Sequence, residues 1–584
     1  MKSNILKLFT LSAVLAMPSV ALPASSFLTA SNSTLGFSVQ CGLGYNSGVV
    51  IPTTCTSPVT GTNGPLANIG INARPGHSGV GVNQVEIAYG SAMRVVTDLA
   101  LHGGVGEHQL AFTRIHSSRY NGQVSHFGDG GQWRHAYQWD IVGEDYGGFV
   151  GVEIFDAAGR LDSFDYQYEM DPETSEPDYD TTYLGTLPQY LPVKLTLTGT
   201  NLVVRASGGF RYHFGAEYDG MGSVFFRLLK FEDNFKNVYT VETDTDLRVT
   251  KVTEPAGRWL EITYDGNDRL TTVDASDGRS VDFGYEAWTN YYALTSVDYG
   301  GGVEATYQYY GEDPLMLATM DDPKVGGAGA HIQYQYEDDT GGAVSREFNP
   351  ATTNDLVVID FGLNDDGYFR RVIDTGGNTN LFDQGANNRK DGLGNVTVVD
   401  GWDPANLTVT DPFGRVQDYD NTDLGAPLTH KTYDAQTNLL ATESWSRDTN
   451  DLVLTHTNFA GNVTTWTRDT SNRVTQITYP DSNTVSFAYN GFGQVTQHVL
   501  QNGGTNSYTY DTNGLRTAST DALGNTTTYG YDSLDRVSSI TNVLSQVTSY
   551  TYRTNGQIAT VTYPDSTSVS YGYDFYGNKV AQTN

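Results

Sequence analysis

Tyrosines stand at positions 489, 510, 531, 552 and 573, each 21 residues after the one before. A fixed period of that length implies an array of like units, each too small to bury its own apolar face, stacked on its neighbours. The surrounding residues keep the same step. The tyrosine is followed by Asn490, Asp511, Asp532, Arg553 and Asp574, and four residues beyond it come Gly493, Gly514, Asp535, Gly556 and Gly577. Earlier in the chain Tyr264-Asp265-Gly266-Asn267-Asp268-Arg269-Leu270 has the same form, and Tyr285 again lies 21 residues on.

The fold of one unit follows from its residues. Val485/Phe487/Tyr489, Tyr508/Tyr510, Tyr529/Tyr531, Tyr550/Tyr552 and Val569/Tyr571/Tyr573 alternate at period two, which puts the large side chains on one face of a strand. The Asp or Asn and the Gly that follow are expected to supply the positive φ of a tight hairpin turn. A second strand such as Val474–Tyr479 comes next and ends in another turn, Pro480-Asp481-Ser482-Asn483 or Asp521-Ala522-Leu523-Gly524-Asn525. Each unit therefore reads as a β-hairpin, and successive hairpins are expected to join one sheet. Between about 350 and 450 the spacing loosens, but Asp374-Thr375-Gly376-Gly377-Asn378, Asp391-Gly392-Leu393-Gly394-Asn395 and Asp411-Pro412-Phe413-Gly414-Arg415 keep the turn half of the pattern. No stretch beyond the first residues has a helical apolar period, so the chain is expected to be all-β.

Length, charge and cysteines narrow the function. A chain of 584 residues exceeds one ordinary core. Its formal net charge of −33 would repel phosphate backbones, which excludes nucleic acid as an expected partner. Lys2 and Lys7 flank the start of an apolar run, Ile5 to Met17, and Ser19-Val20-Ala21 offers a cleavage site, so residues 1–21 read as a signal peptide. That run is too short to span a bilayer, and no later segment is long and apolar enough to do so. The expected location is outside the cell or on its envelope, with no membrane span after cleavage. Cys41 and Cys55 lie close together in an exported stretch and are expected to form one disulfide. The expected organisation is a Ser/Thr/Gly-rich leader over 22–70, a β domain over 71–165, a connecting β region with an acidic loop over 166–250, and repeats over 251–584.

The unit Gly524-Asn525 … Tyr529-Gly530-Tyr531-Asp532 … Asp535-Arg536-Val537 resembles the YD repeat of bacterial Rhs and wall-associated proteins, also found in animal teneurins. Thr97-Asp98-Leu99, Phe112-Thr113-Arg114 and Phe127-Gly128-Asp129-Gly130-Gly131-Gln132-Trp133-Arg134-His135-Ala136-Tyr137 resemble the segment that opens the repeat region in that family. The resemblance implies a hairpin strip coiled into a long sheet or partial shell able to hold a C-terminal toxin or other cargo. The family's C-terminal core motif and effector are not found before Asn584, which implies a short or split scaffold whose C-terminal fragment or effector is encoded separately.

Signs of chemistry are sparse. Gly76-His77-Ser78-Gly79 has Val80 where a nucleophile elbow needs glycine, and Gly103-Gly104-Val105-Gly106 lacks the lysine of a phosphate loop. His116, His126 and His135 fall within 20 residues but match no ligand spacing. The sequence therefore implies no catalytic residue, no cofactor and no metal site. Its functional residues are structural: Tyr264, Asp265, Tyr285, Tyr489, Gly493, Tyr510, Asp511, Gly514, Tyr531, Asp532, Tyr552, Gly556, Tyr573 and Asp574. The expected function is a non-enzymatic surface or secreted scaffold for cargo or intercellular competition. The alternative is a surface protein that binds glycans through its tyrosines. The hairpin ending at Tyr573 is expected to leave an unpaired outer strand, and with it self-association at the C-terminal edge.

Overall fold

Hydrogen bonding in a hairpin array runs between neighbours in sequence, and the computed structural model follows that rule over almost its whole length. It describes residues 85–86 and most of the chain from 91 to 583, with interior stretches such as 146–149, 165–181 and 323–330 outside the description. Among the described residues there are 44 strands and no helix. From Val238–Thr243 onward each strand pairs antiparallel with the strand before it, for example Val249–Thr253 with Trp259–Tyr264 and Thr505–Tyr510 with Arg516–Thr520. The chain is all-β, as its composition and periodicity imply. Residues 1–21, the Cys41/Cys55 pair and Gly76–Gly79 lie outside the described residues.

Two features recur at the repeat tyrosines wherever the following turn is described. The first is a register shift immediately before it, between Ala488/Tyr489, Thr509/Tyr510, Gly530/Tyr531 and Thr551/Tyr552. A bulge there turns the tyrosine ring away from the regular pleat. The second is the turn. In Asp511–Leu515 the Gly514 amide donates to the Asp511 carbonyl at 3.2 Å and the Asp511 amide to the Leu515 carbonyl at 2.9 Å. Only the fourth residue has positive φ: 77° at Gly514, 82° at Gly493 and 59° at Asp535. This corrects the expectation that the aspartate shares that conformation. The aspartate is there as an acceptor: Oδ1 of Asp511 takes the amides of Asn513 and Leu515, at 2.9 and 2.8 Å.

The inner face of the first hairpins is the main core. Val252 faces Leu260, Ile262 faces Val273, Val273 faces Val281 and Phe283 faces Val297, all of them buried. The N-terminal strands Ser91–Ala100, Ala111–Ser117 and Trp133–His135 form a small sheet packed onto that face. Phe112 and Phe127 meet Phe283 edge-on at 6.0 and 5.7 Å, and Trp139 lies 4.8 Å from Tyr212. Each such fully buried ring contributes about 1.5–3 kcal/mol. The contiguous core cluster runs from Val96 to Tyr334. Beyond it the inner face is lined by half-buried side chains, Tyr508, Tyr529, Tyr550 and Tyr571 among them.

Two pairings depart from simple succession. Strand Ser223–Glu232 pairs through Lys230–Glu232 with the strand that follows, and through Ser223–Phe225 with Asp140–Asp145. The sheet therefore crosses the boundary near residue 165. The turn tips also meet across long separations. Arg205 Nη1 donates to the Thr449 carbonyl, Arg211 Nη2 to Asn450 Oδ1, Lys236 Nζ to the Thr470 carbonyl and Asn472 Nδ2 to the Asn234 carbonyl, over 234 to 244 residues of sequence. The strip thus coils back along its own edge.

At the other end, Ser568–Tyr573 is not an outer strand. It pairs with Lys579–Thr583, with Tyr571 opposite Gln582 and Tyr573 opposite Lys579. The expectation of an unpaired edge after Tyr573 is corrected, because the chain makes one further return beyond the tyrosine.

Candidate functional site

The repeat tyrosine is a clip. Its ring leaves the pleat at the bulge and its hydroxyl reaches the first residue of the second strand of the preceding hairpin, always 15 residues back. Tyr489 donates to the carbonyl of Val474, Tyr510 to Val495, Tyr531 to Arg516 and Tyr552 to Val537, each at 2.7 Å. Tyr573 donates to Ile558 at 3.0 Å, Tyr264 to Val249 at 3.0 Å and Tyr285 to Leu270 at 2.6 Å. Burial discourages ionisation of Tyr510, Tyr531, Tyr552 and Tyr573 and pushes the Tyr531 hydroxyl up to about 12.

The turn aspartate extends the clip. Oδ2 of Asp532 takes Nε of Arg536 at 2.8 Å, and Asp469 and Asp265 hold Arg473 and Arg269 in the same way. The arginine then lies over the tyrosine of the next repeat: Arg536 is 4.5 Å from the Tyr552 ring centre, Arg473 is 5.1 Å from Tyr489 and Arg248 is 4.9 Å from Tyr264. Burial works against the Asp532 carboxylate, but Arg536 and the turn amides outweigh it and hold the group below the usual carboxylate range. Gly556 and Asp574 lie outside the described residues, and Cys41 and Cys55 do so as well.

The second polar construction seats the N-terminal sheet on the first repeats. Arg114 donates from Nε to Asp98 Oδ2 at 2.6 Å and from Nη2 to Asp98 Oδ1 at 2.9 Å, to Tyr307 at 3.0 Å and to Tyr299 at 3.3 Å. Tyr307 in turn donates to Asp322. Arg114, Asp98 and Asp322 have fully buried side chains, and the guanidinium lies 4.7 Å from the Trp133 ring centre. Burial opposes the arginine's charge; Asp98, Tyr307 and Tyr299 prevail over it and hold Arg114 protonated. Trp133 Nε1 donates to Tyr309, which donates to the Leu294 carbonyl. Gly128, at φ 102°, lies where a Cβ would stand 2.0 Å from the Tyr292 carbonyl oxygen, so only glycine fits.

The RHS Repeat family profile matches residues 469–505, 489–526 and 510–547, the hairpins whose tyrosine clips have just been described. The chain carries RHS repeats. No curated protein matches the sequence. Among solved structures, the Photorhabdus luminescens Tc holotoxin pore aligns with 81% of this chain at 14% identity and a TM-score of 0.33. The crystal structure of TcdB2-TccC3-TEV aligns with 80% at 13% identity and the same score. In both, the chain spans 26% of the matched chain's length.

One further cluster has no counterpart in the sequence reading. Glu443, 4% exposed, accepts from His430 Nδ1 at 2.9 Å and from His456 Nε2 at 3.0 Å, one imidazole on each carboxylate oxygen. Tyr419 stacks on His430 at 4.1 Å and Trp445 on His456 at 4.8 Å. His430 stands directly opposite Glu443 in the ladder, and His456, opposite Trp445, reaches it diagonally from the other side. The three histidines weighed from sequence are separated in role. His116 packs on Trp133, His126 Nδ1 lies 3.3 Å from the Asp268 carbonyl and His135 is enclosed beside Phe112. Among the described residues no group of three His, Cys, Asp or Glu side chains has the geometry to hold a metal.

Proposed function

We propose that the chain is a non-enzymatic scaffold of RHS repeats, exported from the cell, whose coiled strip encloses or presents a cargo supplied by a separately encoded RHS fragment or effector. The observation that carries this reading is the return of the strip along its own edge, with Arg211 bonded to Asn450 and Lys236 to Thr470. A strip that coils makes a wall with an inside. In its first part that inside is filled by the N-terminal sheet, and in the later repeats it is lined by half-buried tyrosines. The clip residues support the same reading, because each is committed to bonds within the wall. The test is co-expression of the chain with a neighbouring RHS-fragment gene. A stable complex that shields the fragment's effector from protease supports the proposal. Full protease sensitivity of an effector mixed with folded chain overturns it.

Binding of glycans is the second reading. It is favoured by the half-buried Tyr508, Tyr529, Tyr550 and Tyr571 on one face. Glycan-array binding that disappears in Tyr529→Ala and Tyr550→Ala would select it.

A further inference from the structure

The seat of the N-terminal sheet holds two imidazoles in an unusual setting. His135 is 1% exposed and neither ring nitrogen has a hydrogen-bond partner. Its surroundings are rings: Phe112 stacked at 5.4 Å, His126 at 6.1 Å, Phe127 at 6.3 Å and Tyr137 at 6.5 Å. His126 lies between this pocket and the first repeats, with Tyr264 edge-on at 5.2 Å. The same residue joins the two bodies through its main chain, whose carbonyl takes the Leu270 amide at 2.8 Å. A buried imidazole without a partner is tolerated when neutral and strongly disfavoured when charged.

We propose that this pair makes the seat acid-labile: His126 and His135 close it only while uncharged, and acidification releases residues 125–128 and 133–139 from the face of the first repeats. The charged groups around the pair agree on balance. Arg134, on the same segment, is bonded to Asp140 and to the Gln138 carbonyl. Arg134 acts against a cation on either histidine, and Arg248 from the repeats acts against one on His126. Asp140 and the Asp268 carbonyl count the other way for His126. Arg114, opposite His135 in strand register, is neutralised by Asp98 and Asp322. Tyr264 and Tyr285 stay neutral, their ionisation discouraged by burial. For both histidines burial is the leading cause of the lowered proton affinity, and for His135 His126 comes next.

The sign follows. A histidine whose proton affinity is depressed in the seated state is fully compatible with seating above its solution value. It opposes seating progressively as pH falls below about 6.5. Between pH 7 and pH 5 the opening equilibrium rises by up to about 25-fold for one such group.

Amide hydrogen exchange on the full chain reads this directly. Ala136, which donates to the Thr113 carbonyl, and Leu270, which donates to the His126 carbonyl, report the seat. Strand Thr526–Tyr531 reports the distant repeats. After correction for intrinsic rates, opening at Ala136 and Leu270 should increase at least tenfold from pH 7 to pH 5 while Thr526–Tyr531 is unchanged. His135→Phe, which suits the aromatic pocket, should remove most of that increase. An equal increase in both regions, an absent increase, or a full increase retained in His135→Phe would overturn the proposal. Should that variant not fold, the imidazole carbon resonance of His135 in the native chain decides. It must stay neutral while Ala136 is protected, and an ordinary titration in the protected state would overturn the proposal.

Discussion

The hydroxyl of Tyr531 donates to the carbonyl of Arg516 on the adjacent strand of the preceding hairpin, at 2.7 Å. Arg516 opens the second strand of its own repeat, next to the bulge at Tyr510, where the regular ladder is interrupted. The tyrosine of one repeat thus completes the hydrogen bonding of the one before it. Tyr531→Phe keeps the ring and removes the bond. Local opening of Arg516–Thr520 and Thr526–Tyr531, measured by hydrogen exchange, should become easier by about 1–2 kcal/mol. Distant repeats should be unaffected.

The fourth turn position predicts opposite effects at two equivalent sites. Gly514 has φ 77° and Asp535 has φ 59°. Gly514→Ala forces a Cβ into the left-handed region and should cost about 1 kcal/mol. Asp535→Gly relieves the same strain and should come out neutral or stabilising by a few tenths of a kcal/mol, since glycine's greater freedom in the unfolded chain offsets part of the gain. Exchange protection of the flanking strands in the two variants, compared with the parent chain, checks both signs.

Removing Arg114 leaves Asp98 and Asp322 buried without their cation. Arg114→Met should therefore weaken the seat by about 3–5 kcal/mol. Faster proteolysis of the full chain across residues 91–139 at neutral pH would register the loss.

The turn aspartates set an acid limit. Asp265 and Asp532 lie below the usual carboxylate range: burial opposes this, and Arg269, Arg536 and the turn amides outweigh it. Groups depressed in this way contribute stability that is complete above the unfolded-state value, near 4, and is lost as pH falls through the folded value. Circular dichroism should show the repeat strands unchanged between pH 7 and about 5, with loss beginning only below about 4. Melting of the repeats above pH 5 would contradict it.

Glu443→Leu strips both His430 and His456 of their acceptor. The change should cost about 2 kcal/mol locally, read as faster exchange in Pro427–Tyr433 and Val453–Thr457. Glu443→Gln retains an acceptor oxygen and should cost less.

The repeats were legible because their defining residues are irreplaceable at fixed spacing. A hydroxyl must reach a carbonyl, a carboxylate must receive two amides, and one residue must adopt positive φ. The other half of each bond was not legible. The acceptor for Tyr531 is a main-chain oxygen, which leaves no trace in the identity of Arg516. The seat escaped for a different reason: Arg114 and Tyr307 are 193 residues apart, and neither repeats. The turn-tip contacts of Thr449 and Thr470 use main-chain oxygens too, so the coiling of the strip was implied by resemblance and not by any residue. The extra return strand Lys579–Thr583 follows the same Tyr573-Asp574 … Gly577 signal as the other repeats, but no further tyrosine comes after it to mark it as a strand.

The separation between Arg114 and its partners also fixes an order of events. Hairpins whose strands are joined by a five-residue turn need little chain to form, and each can zip onto the last as soon as it exists. Arg114 meets Asp98 within its own sheet, but its partners on the repeats come much later. Tyr307 follows it by 193 residues. At a synthesis rate of about 5–20 residues per second, that distance is roughly 10–40 s of chain growth. Through that interval the guanidinium, Trp133 and Phe112 exist without the surface that later encloses them. The segment that stands first in the sequence is therefore finished only after the hairpins that follow it, and any factor that shields a nascent chain would meet it in that window.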